Sequence, residues 1–163
     1  MDNILWSPSE KQKKSSLITK FMEQSSQEFD DYFSLHSWSI NNMEDFWEEF
    51  WNFSGIIHSK AYDSVLTNPV MPGAKWFEGA ELNYAENLLK KNDDTPAIIF
   101  RSENGFRKEI SWKHLNFNVS NISGWMLSNG IKSGDTVAAY LPNIPETVIA
   151  YLATSSIGAI WSS

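Results

Sequence analysis

The sequence predicts an α/β protein: a helical, aromatic-rich N-terminal region, then a β-hairpin, a helix and a strand–helix–strand unit. Three observations lead there. Aromatic side chains crowd residues 43–53 at helical spacing, an Asn-Gly pair at 104–105 separates two β-rich runs, and residues 136–163 switch from strand to helix to strand patterning. The 163 residues suit one domain, or one and part of another. A chain of that size buries about 68–70% of its unfolded surface, so a core forms without staples.

The elements follow in order. Ser7-Pro8-Ser9-Glu10 has the form of a capping box with proline at the first helical position, and Leu17, Ile18, Phe21 and Met22 continue as an apolar stripe. A second helix opens at Asn42 as the cap, with Glu44 and Asp45 in its first turn. Met43, Phe46, Trp47, Phe50, Trp51 and Phe53 follow, and Gly55 sits where a left-handed C-cap belongs. Residues 56–82 show no sustained period. Pro69, Pro72, Gly73 and Gly79 point to a long irregular connection ordered by packing of Trp76 and Phe77. Asn83 with Glu86 opens a short helix reaching about residue 91. The run Asn92-Asp-Asp-Thr-Pro96 then marks the boundary between a region 1–95 and a region 96–163.

Beyond it, residues 97–101 and 106–110 flank the Asn104-Gly105 turn of a hairpin. Ser111 caps a helix in which Leu115, Val119, Ile122 and Met126 share one face, ended by Gly130. Residues 136–141 read as a strand, 145–157 as a helix and 159–163 as a strand. That run requires a right-handed crossover and a parallel pair. In open α/β sheets the ligand site lies in loops beyond the carboxyl ends of the strands. Since Ser163 falls on the last strand, the site is expected outside these residues.

Composition excludes several function classes. The net charge is −7, and no Lys or Arg occurs between Lys20 and Lys60, so nucleic acid is not an expected partner. The chain has no cysteine, which removes disulfides, thiolate catalysis and cysteine metal sites. The polar N-terminus is not a signal peptide, and the apolar run at 147–161 is too short and polar to span a bilayer. The expected setting is cytoplasmic, with no membrane partner.

The chemistry-bearing residues are sparse. His36, His58 and His114 are scattered without metal-ligand spacing, which assigns them to surface or packing roles. Gly130-Ile-Lys-Ser-Gly134 lacks a glycine before Lys132 and precedes a strand, so it reads as a C-cap and turn instead of a phosphate loop. Glu48-Glu49 and Asp30-Asp31 are adjacent pairs, and helix neighbours do not face each other, so a solvated acidic face is expected. Eight tryptophans could form a nucleobase platform, but no basic residue lies between Trp38 and Trp51, and core packing is the reading adopted. No catalytic, cofactor-binding or metal-ligating residue is nominated.

Specific strings carry a family resemblance. Trp38-Ser-Ile40 followed by Phe46-Trp47 resembles the N-terminal region of acyl-CoA synthetases of the acetyl-CoA synthetase type. Residues 72–89, with Glu81-Leu-Asn-Tyr-Ala-Glu-Asn87, are most similar to the acetoacetyl-CoA synthetase branch. Ile110-Ser-Trp-Lys-His-Leu115, Asp135-Thr-Val-Ala-Ala-Tyr-Leu-Pro-Asn-Ile-Pro-Glu146 and Ser156-Ile-Gly-Ala-Ile-Trp-Ser-Ser163 resemble core motifs of the adenylate-forming superfamily.

The resemblance runs from about residue 30 to the end. It implies that residues 96–163 begin an AMP-binding domain, and that the whole enzyme is an ATP-dependent acetoacetate–CoA ligase that uses ATP, Mg²⁺ and CoA. Acetate or another short acyl group is the alternative substrate. Such enzymes are several times longer, and their phosphate loop, adenine-binding residues, ribose-binding Asp and mobile-domain Lys lie downstream. No cofactor is therefore expected on these residues, and the chain alone is expected to be inactive. Trp112, Leu115 and Gly158 match family motifs, but helix packing and strand entry explain them without chemistry. An alternative from another class is a non-enzymatic chain that self-associates through the exposed edge of its last strand, or binds a partner there.

Overall fold

A computed structural model describes residues 5–163. The chain divides into two compact units, Met1–Glu81 and Leu82–Ser163.

In the first unit four helices precede a small hairpin. Helix α1 spans Glu10–Ser15 and α2 Leu17–Gln24, separated at Ser16. The capping box expected at Ser7 lies two residues later. Ser9 is the N-cap and Gln12 its reciprocal partner, because Gln12 can reach back to the Ser9 N–H at 2.8 Å. Helix α3, Tyr32–Asn41, is absent from the sequence reading. It is held by an Asp31/Ser34 capping box and buries only Leu35, so it has almost no apolar period to detect.

Helix α4, Met43–Ser54, begins after Asn42 as expected, but the Asn42 side chain does not cap it. Its amide instead donates to the Trp38 carbonyl of α3 at 3.1 Å. Gly55 closes α4 with φ 57°, the left-handed conformation that glycine adopts at no steric cost.

The expected irregular stretch 56–82 contains regular structure. Strands β1, Ser64–Thr67, and β2, Lys75–Glu78, pair antiparallel with Leu66 opposite Trp76. Each strand is four residues long, and Phe77 has φ 49°, so alternation is too brief and too distorted to read as β. The expected packing role of the two aromatics is present. Phe77 lies 4.5 Å from Trp51 between ring centres, and Trp76 5.6 Å from Trp47. At the centre of the helices, Phe21 is 6% exposed and meets Phe46, Phe50 and Phe53 edge-on at 5.8, 6.2 and 5.2 Å.

The second unit opens with α5, Tyr84–Leu88, three residues shorter than expected. Strands β3, Pro96–Arg101, and β4, Arg107–Ser111, form the predicted hairpin. Ser111 accepts from the His114 N–H and starts α6, Trp112–Ser128. Strand β5, Thr136–Ala138, then pairs parallel with β6, Ile160–Ser162, across helix α7, Pro145–Ser156. Both strands are shorter than their apolar runs.

The core of this unit joins Ile110, Leu115, Val119 and Met126 to Ile149, Leu152 and Ala153 of α7. Asn83 ties the short α5 into it. Its Oδ1 accepts from the Glu86 N–H, while its Nδ2 donates to the carbonyls of Ser155 at 2.9 Å and Ser156 at 3.3 Å. One side chain thereby caps the start of α5 and the end of α7. Asn83→Ala is expected to destabilise the second unit by about 1–2 kcal/mol, the magnitude of a lost cap. Urea denaturation followed by circular dichroism measures it; an unchanged midpoint would remove the clamp from the argument.

Candidate functional site

In the second unit, the carboxyl edge of the β5–β6 pair is where an α/β fold places ligand chemistry. Thr136 lies opposite Ile160, Val137 opposite Trp161 and Ala138 opposite Ser162. The ladder continues one step, the Ala139 N–H donating to the Ser162 carbonyl at 2.9 Å. The chain then runs through a loop in which Tyr140 is fully exposed, and the Thr147 hydroxyl donates to the Pro142 carbonyl at 2.7 Å. Pro145 starts α7 there, with Ile144 as an N-cap that offers no side-chain acceptor.

The first turn of α7 carries Glu146, paired with Lys108 of β4 at 2.7 Å. The hydrogen bond from Lys108 leads the causes that hold the Glu146 carboxyl below its ordinary range. A nearby cation is thus already engaged by a carboxylate, which weakens any claim of this edge on a phosphate.

Where β6 is entered, Gly158 has φ 73°, and a Cβ there would stand 2.7 Å from the Ser133 hydroxyl. Gly130 and Gly134 also take positive φ. The Lys132 N–H donates to the Asp135 carboxylate at 2.9 Å, and the Gly134 N–H to the Gly158 carbonyl at 3.0 Å. The Gly130–Gly134 stretch is a C-cap and a turn, as its position before a strand implied.

The three histidines are not brought together. His36 and His58 lie in the first unit and His114 in the second, all of them exposed. His36 stands 6.0 Å from the ring of Tyr32, and His58 5.6 Å from Trp51. Among the described residues no group of three His, Cys, Asp or Glu is placed to hold a metal ion. Trp38, Trp47, Trp51 and Trp76 of the first unit pack against other aromatics, whereas Trp6 is exposed.

The adjacent acids divide their roles in a way the sequence did not signal. Glu48 accepts from the Tyr62 hydroxyl at 3.0 Å. Glu49 accepts from the Ser25 hydroxyl at 2.6 Å, from the Ser26 N–H at 3.1 Å and from the Ser26 hydroxyl. Burial pushes the Glu49 carboxyl up, but the hydrogen bonds from Ser25 and Ser26 together outweigh it and hold the group below its ordinary value. Only tertiary folding joins residues 25 and 49, so no local pattern could have found this latch.

Two family models match the chain in sequence. The acetyl-coenzyme A synthetase N-terminus covers residues 32–88, and the AMP-binding enzyme model covers residues 85–162. An acetoacetyl-CoA synthetase of Macaca fascicularis is 40% identical over 82% of this chain and 20% of its own length. The solved acetoacetyl-CoA synthetase of Streptomyces lividans superposes with a TM-score of 0.83 at 34% identity, over 97% of this chain and 26% of that one.

The chain is homologous to acetoacetyl-CoA synthetases over most of its length. It spans about a quarter or less of the length of these relatives. Among its relatives the named acyl group is not uniform. A malonamoyl-CoA synthetase of Penicillium aethiopicum is 36% identical over 99% of this chain and 24% of its own length. The β-hairpin, α6 and the β5–α7–β6 unit all fall within the AMP-binding match, so the carboxyl edge belongs to the adenylate-forming fold. No helix among the described residues is long and apolar enough to cross a membrane.

The Glu49 latch yields a pH prediction. A carboxyl with a depressed folded pKa contributes stability that is present above the unfolded value, about 4.3, and is lost as pH falls through the folded value. The thermal midpoint of the first unit is therefore expected to fall on acidification below about pH 4.3. Glu49→Gln should lower the midpoint at neutral pH and flatten that part of the acid profile. A profile in Glu49→Gln parallel to the wild type would contradict the assignment.

Proposed function

We propose that these residues form the N-terminal part of an ATP-dependent acetoacetate–CoA ligase. In that reaction a carboxylate oxygen attacks the α-phosphorus of ATP, forming an acyl-adenylate as the bond to pyrophosphate breaks. The CoA sulfur then attacks the acyl carbon, forming the thioester as the bond to AMP breaks and the thiol proton passes to base. The work required of the whole enzyme is clamping a phosphoryl group with Mg²⁺ and aligning a thiol with a mixed anhydride. The observation that carries this reading is the match to a solved acetoacetyl-CoA synthetase over nearly the whole chain.

The segment's own role in this reading is framework. The β5–α7–β6 unit fixes one strand pair of the adenylate-forming domain, and we assign no catalytic, cofactor-binding or metal residue to it. ATP, Mg²⁺ and CoA are then held by other parts of the whole enzyme, in the cytoplasm. The Penicillium relative is nearly as similar as the others and bears a different acyl name, which supports placing acyl selection outside these residues too. A second reading, association through the edge of β5–β6, draws on Ile160, which is 55% exposed on a two-stranded sheet.

Two assays separate the levels of the proposal. The purified 163-residue chain is expected to release no pyrophosphate when given acetoacetate, ATP, Mg²⁺ and CoA; detectable acetoacetate-dependent release would overturn its assigned inactivity. A full-length protein carrying these residues is expected to form acetoacetyl-CoA and AMP, and a clear preference for acetate over acetoacetate would overturn the acyl assignment.

A further inference from the structure

The first unit leaves more apolar surface open than its helices cover. Helices α2, α3 and α4 enclose a groove of about 640 Å³. Phe21 and Leu35 are buried in it, while Leu17, Ile18 and Phe50 stand 70%, 43% and 41% exposed along it. Single exposed hydrophobic residues are ordinary, but a contiguous set lining a concave surface marks a binding site. Grooves of about 300–1,000 Å³ accommodate compact apolar groups.

Charge narrows the occupant. From residue 21 to residue 59 the chain carries Glu23, Glu28, Asp30, Asp31, Glu44, Asp45, Glu48 and Glu49, and no Lys or Arg. Asp31 caps α3, while Glu44 and Asp45 form the first turn of α4, so two of the three helices that build the groove bring the negative charge, and α2 balances Glu23 with Lys20. A fitting occupant is apolar at one end and basic along its length.

The chain itself supplies that chemistry. Leu5 and Trp6 are 95% and 71% exposed. After Ser7-Pro8-Ser9 comes α1, which buries no residue and carries Lys11, Lys13 and Lys14 against one acid, Glu10. In its own copy this segment leaves its two largest apolar side chains in solvent.

We propose that the groove of one copy receives Leu5, Trp6 and the basic helix α1 of a second copy. The exchange is reciprocal, so two identical contacts close a two-fold dimer instead of an open chain. Trp6 fills the apolar groove, removing about 150–250 Å² of its own surface from water, and the three lysines lie over the acidic helices. The segment is short, so the interface falls at the small end of the specific range and the dimer is weak and salt-sensitive. The proposal is independent of the catalytic reading.

Sedimentation velocity on the full 163-residue chain, over a concentration series at low and high salt, tests it. The expected result is a reversible monomer–dimer equilibrium weakened at least tenfold by Trp6→Ala, by Phe50→Glu and by high salt. Circular dichroism checks that each variant keeps its helices. The triple change K11E/K13E/K14E alters exposed residues only, so it tests the contact even if Phe50→Glu unfolds.

Mixing is the decisive arm. Trp6→Ala retains a working groove and Phe50→Glu a working segment, so the two together should form a heterodimer although neither pairs with itself. A monomer at every concentration would overturn the proposal. So would a dimer indifferent to Trp6→Ala, including one lost instead in Ile160→Lys, which would assign association to the strand edge. Trp6-dependent association in a folded Phe50→Glu variant would overturn the groove as its seat.

Discussion

Helix α7 is the constraint on which the second unit depends. Leu152, Ala153 and Thr154 are each wholly shielded from solvent, so three consecutive positions face protein on every side. An amphipathic surface helix cannot do this, because three successive residues sweep about 200° of its circumference. Thr154 is tolerated there since its hydroxyl donates to the Ala150 carbonyl at 2.8 Å, leaving no buried polar group unpaired. With α7 fixed, the other elements inherit their positions: α6 packs along it, Lys108 pairs with its first turn, and Gly158 turns its end into β6.

The first unit is organised differently. Its centre is a single side chain, Phe21, with phenylalanines arranged edge-on around it. Edge-to-face aromatic pairs add about 0.5–1.5 kcal/mol each beyond area burial, so a few such contacts can hold short helices that bury little else. The Glu49 latch and the Asn42 contact to α3 supply polar joints between those helices. This unit is held by a few strong, directional contacts, whereas the second is held by a continuous aliphatic core.

That difference explains what the sequence could and could not reveal. Where stability is local, signals were legible. Ser111 and Asn83 cap the helices they were expected to cap, Gly55 takes the left-handed turn, and the Asn104-Gly105 hairpin and the parallel β5–β6 pair form as patterned. Where order comes from distant contacts, the pattern was silent. Helix α3 buries one residue, strands β1 and β2 are four residues long, and Asn42 gives its amide to a neighbouring helix instead of its own. For function, the likeness to acetoacetyl-CoA synthetases was legible from strings of residues. The division of Glu48 and Glu49 between Tyr62 and the Ser25–Ser26 pair was not, because it joins elements far apart in the chain.

The Asn83 clamp also has a consequence in time. Helix α5 is five residues long, well below the roughly 12–15 residues at which an isolated helix becomes even marginal in water. Its anchor is the end of α7, 72 residues later in the chain. At about 5–20 residues per second of synthesis, α5 leaves the ribosome several seconds before its anchor does. During that interval the end of α7 is not there to receive the Asn83 amide.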